Sequence, residues 1–191
     1  MKEKFAQFFS LIGHPLITIP IVVSVCLFYF LKTSEAVLAS GLIILFLIVP
    51  LTIHMYRKSR SGVYANFDVS NQGQRQHWYV YVFLLMCLVT IVLYFTTRSL
   101  PLKLGFLLAG LLLLSAQLLN YIIKSSLHAS LNVFLAFLLA GITAFGAFLF
   151  LIFTGLVSWS RWQLGRHTLP EILAGWVLGL VYGSLLWWFT K

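Results

Sequence analysis

Charge is scarce in this chain of 191 residues: 9% of it is Asp, Glu, Lys or Arg, and only 4 residues are acidic. An ordinary soluble domain is roughly a quarter charged, so a soluble globular protein is excluded. Proline (5) and cysteine (2) are also few. Hydrophobic residues make up 61%, with 17 Phe, 8 Tyr and 6 Trp, which excludes a disordered or collagen-like chain. Both cysteines, Cys26 and Cys87, lie inside apolar runs and read as packing residues, so neither a disulfide nor a redox site is indicated. There is no His-Glu-x-x-His pair, no phosphate-binding lysine loop and no dinucleotide glycine motif. Internal repeats and Gly/Ser- or Pro-rich linkers are missing as well.

What the sequence has is long uncharged runs: Pro15 to Leu31, Ala36 to Tyr56, Gln76 to Thr97, Leu104 to Ile123, Ala129 to Ser160 and Ile172 to Thr190. Each is long enough for a spanning helix, and continuous apolarity rather than alternation argues against membrane strands. The first run follows Met1-Lys-Glu-Lys as a secretory signal would. However, His14-Pro15 interrupts its start and no small-residue cleavage site follows Leu31, so it reads as a retained membrane helix. The fifth run has 32 residues; as one helix it would extend about 48 Å, against a hydrocarbon core of about 30 Å. It is expected to fold back near Gly141 to Gly146, one arm reaching to about Ser126 and the other to about Trp162, for seven crossings in total. A strongly tilted single helix is the alternative. The expected fold is therefore all-α, a single integral membrane domain over residues 1–191 with six to seven helices.

The formal charge of +9 comes from 13 Lys+Arg against 4 Asp+Glu. No nucleic-acid recognition motif accompanies it, so nucleic acid is not an expected partner. The cations sit in short loops, where they suit anionic head groups or phosphate, and the bilayer itself is the first partner. Three polar stretches, Arg57 to His77, Lys124 to His128 and Ser158 to Glu171, are separated by pairs of helices and should meet on one face. Lys2, Lys4, Arg57, Lys58 and Arg60 on that face slightly outnumber Lys32, Arg98, Lys103 and Lys191 opposite, which leans the face toward the cytoplasm. A compact chain with no organelle-targeting extension points to a bacterial inner membrane. On the last run, Gly175, Gly179 and Gly183 recur at every fourth position, a stripe for close helix packing within the bundle first and for a homo-oligomer contact second.

The third stretch reads Ser160-Arg161-Trp-Gln-Leu-Gly-Arg166-His167-Thr-Leu-Pro170-Glu171. With Pro170 in a first helical turn, Glu171 lies about one turn from His167 and can hold an imidazole N–H, leaving the other nitrogen free to attack or take a proton. Arg161 and Arg166 offer bidentate donors for phosphate. The second stretch, Lys124-Ser125-Ser126-Leu127-His128, adds a histidine, an ammonium and hydroxyls at a helix start that favours anions. Arg75 comes from the first stretch. His14 and His54 read as boundary or packing residues; His77 either lines the pocket or anchors beside Trp78.

Together these residues resemble the type 2 phosphatidic acid phosphatase family of membrane enzymes. Its third signature, Ser-Arg, five residues, His, three residues, Asp, is matched by Ser160-Arg161, His167 and Glu171. Its second, Pro-Ser-Gly-His, is answered by Ser125-Ser126-Leu127-His128, and its first, Lys, six residues, Arg-Pro, by Arg75-Gln76 alone. The resemblance covers roughly Asp68 to Thr190. It implies that His167 is the nucleophile, Glu171 orients it, and His128 protonates the leaving oxygen and later activates water. It further implies that Arg75, Arg161 and Ser126 hold the phosphoryl oxygens of a lipid phosphate or isoprenoid pyrophosphate, with no metal and no cofactor; Lys124 joins them by proximity. The departures are Asp68 at the family lysine, Gln76 at the proline, Leu127 at the glycine and Glu171 for Asp.

Two other readings compete. His128, His167 and Glu171 could form a two-histidine, one-carboxylate metal set, but Arg161, Arg166 and Lys124 would repel a divalent ion and suit a phosphate. A membrane protein that binds or moves a phospholipid, or supports a complex, fits the missing lysine and glycine. An assembled nucleophile, acid and orienting carboxylate fit an enzyme better.

Overall fold

A computed structural model describes residues 1–65, 67–69 and 71–191. Among them the chain forms eight helices and no strand: α1 (Lys2–Ile12), α2 (Pro15–Phe30), α3 (Thr33–Arg60), α4 (Gln72–Thr96), α5 (Leu100–Leu119), α6 (Leu127–Ala140), α7 (Ala144–Gln163) and α8 (Leu169–Thr190). Five of these, α3, α4, α5, α7 and α8, are long and apolar enough to cross a membrane, and α1 with α2, bent by 49°, make a sixth when counted as one span. Large apolar side chains stay exposed on their outer faces, Phe95 by 81% and Leu173 by 63%. Only a lipid environment makes so much exposed hydrocarbon tolerable, and the chain is a multi-pass membrane protein.

Local chemistry sets the helix boundaries. At α2, Pro15 occupies the first turn and His14 Nδ1 accepts the Leu16 N–H at 3.1 Å. In α3, Pro50 has no N–H to donate, and the turn before it widens into a π-helix over Ile44–Ile48. At α8, Thr168 and Glu171 form a capping box around Pro170.

The fifth apolar run does fold back, breaking at Gly141–Thr143, and its arms begin and end within a residue or so of Ser126 and Trp162. The two arms are unequal. α7 is a full-length span, whereas the 14 residues of α6 rise only about 21 Å, short of the hydrocarbon core, so seven full crossings are not found. α6 is instead the enclosed post of the bundle, buried at every position from Leu127 to Ala136. It packs on α2, α7 and α8. Its contact with α8 is close because Gly175, Gly179 and Gly183 face it: a Cβ on Gly175 would run into the Ser126 carbonyl, one on Gly179 into the Ser130 carbonyl and Val133, and one on Gly183 into the Phe137 ring. Asn132 on α6 donates to the Gly13 carbonyl at 2.9 Å, tying the post to the α1–α2 bend. The other side of the molecule is a ring in which α2 meets α3, the π-helical part of α3 meets α4, α4 meets α5, α5 meets α6, and α6 meets α2.

Candidate functional site

Residues from all three polar stretches come together at one end of the bundle, as the sequence leads one to expect. His14, Asp68, Arg75, His128, Arg161 and His167 line the head of one internal cavity. Lys124, Arg166, His167 and Glu171 line a second cleft beside the α7–α8 turn. His167 belongs to both, and so forms the partition between the cavity and the cleft.

The turn that carries His167 is fixed by backbone geometry. Gly165 adopts φ +63°, a conformation open to glycine, and the Arg166 and His167 N–H groups both return to the Arg161 carbonyl, at 2.9 and 3.2 Å. His167 Nδ1 lies 2.8 Å from Glu171 Oε2, and the same oxygen accepts the Thr168 N–H at 3.1 Å. A carboxylate only accepts, so the Nδ1 carries the proton and Nε2 keeps its lone pair. Burial, followed by the positive charges of Arg75, Arg161 and Lys124, pushes the imidazole pKa down to about 2, against a smaller upward pull from the Lys124 backbone. His167 is therefore a neutral base at physiological pH. Lys124 Nζ donates to the Arg166 carbonyl at 3.0 Å and sits 3.7 Å from Glu171 Oε2; burial lowers its pKa.

The arginines are buried and anchored. Arg75 donates to the Ser125 carbonyl at 3.0 Å and to the Tyr79 hydroxyl at 3.1 Å, with the guanidinium 5.4 Å from the Tyr79 ring centre. Arg161, 1% exposed, donates at 2.7 Å to both Ser10 Oγ and Asp68 Oδ2. Its Nε has no partner. His128 Nε2 is likewise buried and unpartnered, the arrangement expected of an atom kept for a ligand. Ser126 stands at the N-cap position of α6 without a side-chain capping bond and gives its N–H to the Glu171 carbonyl at 3.0 Å; its side chain lines neither of the two cavities.

Two members of the cluster are absent from the expected set. His14, read from sequence as a boundary residue, lies with Nε2 3.3 Å from Asp68 Oδ1 and its ring edge-on to His128 at 4.9 Å. Since its Nδ1 accepts from Leu16, Nε2 is the donor to the carboxylate. Asp68 therefore bridges His14 and Arg161. Burial opposes its charge, but the His14 hydrogen bond and Arg161 outweigh that and hold its carboxyl well below the usual range. The next residue, Val69, is buried at φ +48°, strained for a β-branched side chain by about 1–3 kcal/mol, and its backbone turn helps deliver Asp68 inward. The signal in the sequence was an acid, Asp68, where a solvated one would be commonplace. His54 is a packing residue, stacked on Tyr81 with 4.0 Å between ring centres. His77 is exposed and outside the cavity.

Among the described residues, His14, Asp68 and His128 are the set whose donor atoms approach closely enough to share a metal, all within 4.8 Å. The His128, His167 and Glu171 set considered from sequence is not that group. Arg161, hydrogen-bonded to this carboxylate, places a fixed positive charge beside the donors, and Arg75 lines the same cavity head. Such surroundings repel a divalent cation and favour an anion. Comparison with protein-family models, curated proteins and solved structures gives no match.

Proposed function

We propose that this chain is a membrane phosphatase acting on a lipid phosphate or isoprenoid pyrophosphate through a phospho-histidine, on a core spanning about residues 68–190 of the type 2 phosphatidic acid phosphatase kind. The observation that carries the reading is the neutral His167, held through Nδ1 by Glu171 at 2.8 Å and forming a wall of a cavity whose head also holds Arg75, Arg161 and His128. His167 Nε2 attacks phosphorus, the bond from phosphorus to the lipid oxygen breaks, and that oxygen takes its proton from His128, which picks up a proton as the phosphate dianion enters the cavity head. Water then attacks the phospho-histidine while His128 takes the water proton, and the P–N electron pair returns to Nε2 as phosphate leaves. Arg75 and Arg161 neutralise the phosphoryl oxygens on the cavity side of His167, Lys124 adds its charge from the cleft side, and the α6 N-terminus at Ser126 adds its dipole; phosphoryl transfer asks mainly for positioning and charge neutralisation.

The test is phosphate release by purified protein in detergent with EDTA, offering phosphatidate, phosphatidylglycerol phosphate, and isoprenyl phosphate and pyrophosphate. The expected result is release by the wild type that falls about a thousandfold or more in His167→Ala.

One observation favours a second reading. The arginines are already bound by groups of the chain itself, Arg161 by Asp68 and Ser10, Arg75 by Ser125 and Tyr79. A protein that only binds or moves a phospholipid, or scaffolds a complex, would keep arginines held in this way and tolerate His167→Asn. No release from any of these lipids by folded protein would establish that reading over the first.

A further inference from the structure

The internal cavity does not stop at the polar cluster. Its lining follows α2 from Pro15 through Ile19 and Val23 to Leu31, and α6 from Leu127 through Leu131 to Leu138. The spacing on each helix is three or four residues, one face of a helix turned to a shared lumen. Below the cluster the wall is apolar almost throughout; Ser99, at the far end, is the exception of note. Pro15 and Leu31 are 16 residues apart along α2, so the lumen runs about 24 Å down the bundle. Native interiors are close-packed, and a void of this length forfeits contacts along its whole wall unless something fills it.

We propose that this lumen holds the hydrocarbon tail of the substrate, and that the tail is a single isoprenoid chain. The inference rests on the phosphatase reading and deepens it. Consecutive helices of the ring α2–α3–α4–α5–α6 touch one another, so the lumen runs inside the bundle rather than over its outer face. A regular ring of five helices about 9.5 Å apart and 10–12 Å across would enclose a channel roughly 5 Å wide, a bore that suits one chain and not two side by side. A length of about 24 Å also exceeds the depth of one leaflet, about half of a 30 Å hydrocarbon core. A diacyl lipid would have to leave a tail outside. The lumen continues from the His14, Asp68, Arg75, His128, Arg161 and His167 head into the bundle.

Plugging the lumen at two depths tests this. Gly105 and Ala109 both line it, one turn apart on α5, with Ala109 nearer the head; a Cβ on Gly105 would meet nothing closer than Leu138 at 4.0 Å. Neither belongs to the proposed catalytic machinery. Isoprenyl phosphates of increasing length are offered to the wild type, Gly105→Phe and Ala109→Phe. The expected result is an unchanged kcat/KM for the shortest chains and a loss of tenfold or more beyond a cut-off, which falls at a shorter chain for Ala109→Phe than for Gly105→Phe. Equal effects on all lengths, or none, would overturn the lumen assignment while leaving the phosphatase standing.

A second measurement does not need turnover. An isoprenyl phosphate with a diazirine at its tail end is photolysed on His167→Ala protein and the labelled peptides identified. Labelling of the lumen stripes at Val23 or Leu135 supports the assignment even if no hydrolysis is ever detected. Labelling of the outer faces, such as Leu173 or Val177, refutes it.

Discussion

The two sides of the bundle solve opposite packing problems. Where α6 meets α8, three glycines bring the backbones so close that no Cβ could be inserted, and the α7–α8 turn holding His167 is built on that contact. Where α6 meets the ring of α2 to α5, large aliphatic residues stand back from one another around a continuous lumen. Close packing is concentrated beneath the polar cluster, and room is left along the lumen. The contrast teaches that the same post, α6, serves as a clamp on one face and as a channel wall on the other.

The largest effect should come from breaking the ion pair that ties α7 to the Asp68 loop. Arg161→Met leaves Asp68, 19% exposed, with only His14, and breaking a largely buried ion pair from one side costs up to about 3–5 kcal/mol, so the variant should show a large drop in melting temperature in detergent. Next, Gly179→Ala on the tight side should cost about 1–3 kcal/mol by overpacking, whereas the same enlargement at Gly105, facing the lumen, should be nearly neutral. Unfolding temperatures of the two variants measured side by side test the contrast directly; equal losses would break it.

Acidification should probe the partition itself. His167 is neutral in the folded protein because its pKa is held at about 2, whereas the unfolded chain takes up the proton near pH 6.5. Its contribution is therefore fully present above pH 6.5 and is lost as pH falls toward 2, at no more than about 1.4 kcal/mol per pH unit. Asp68, held below its ordinary range, adds a loss in the same direction only below about pH 4. Melting curves against pH should show the upper part of this slope disappear in His167→Gln and persist in Asp68→Asn. The smallest effect belongs to Lys124→Met: its 3.7 Å pair with Glu171 lies at the edge of the cleft and should be worth about 0.5–1 kcal/mol of stability, read as a small downward shift of the melting curve.

Much of this was legible because it is local. The fold-back at Gly141–Thr143 followed from the length of an apolar run, and the His167–Glu171 pair from an i, i+4 spacing beside Pro170. Gathering the polar stretches on one face needed only a count of helices. The His14–Asp68–Arg161 bridge was not legible, since it joins three segments and depends on where a strained Val69 turns the chain. α1 escaped notice because its place comes from packing against α7 and from Ser10 reaching Arg161, not from a run long enough to cross. The lumen was hidden for another reason: helices apolar on every side show no periodicity that separates a lipid-facing Leu173 from a lumen-facing Leu131.

Glu171 Oε2 accepts from the Thr168 backbone and from His167 at once. The last helix thus cannot be properly started without the imidazole being aimed, and assembly of the fold doubles as a check on where His167 points. An aspartate in this position would have an arm one carbon shorter for the same two clients. In this chain the exchange of Glu for Asp is a change of geometry, and a Glu171→Asp protein could satisfy both only by sliding the helix toward the turn.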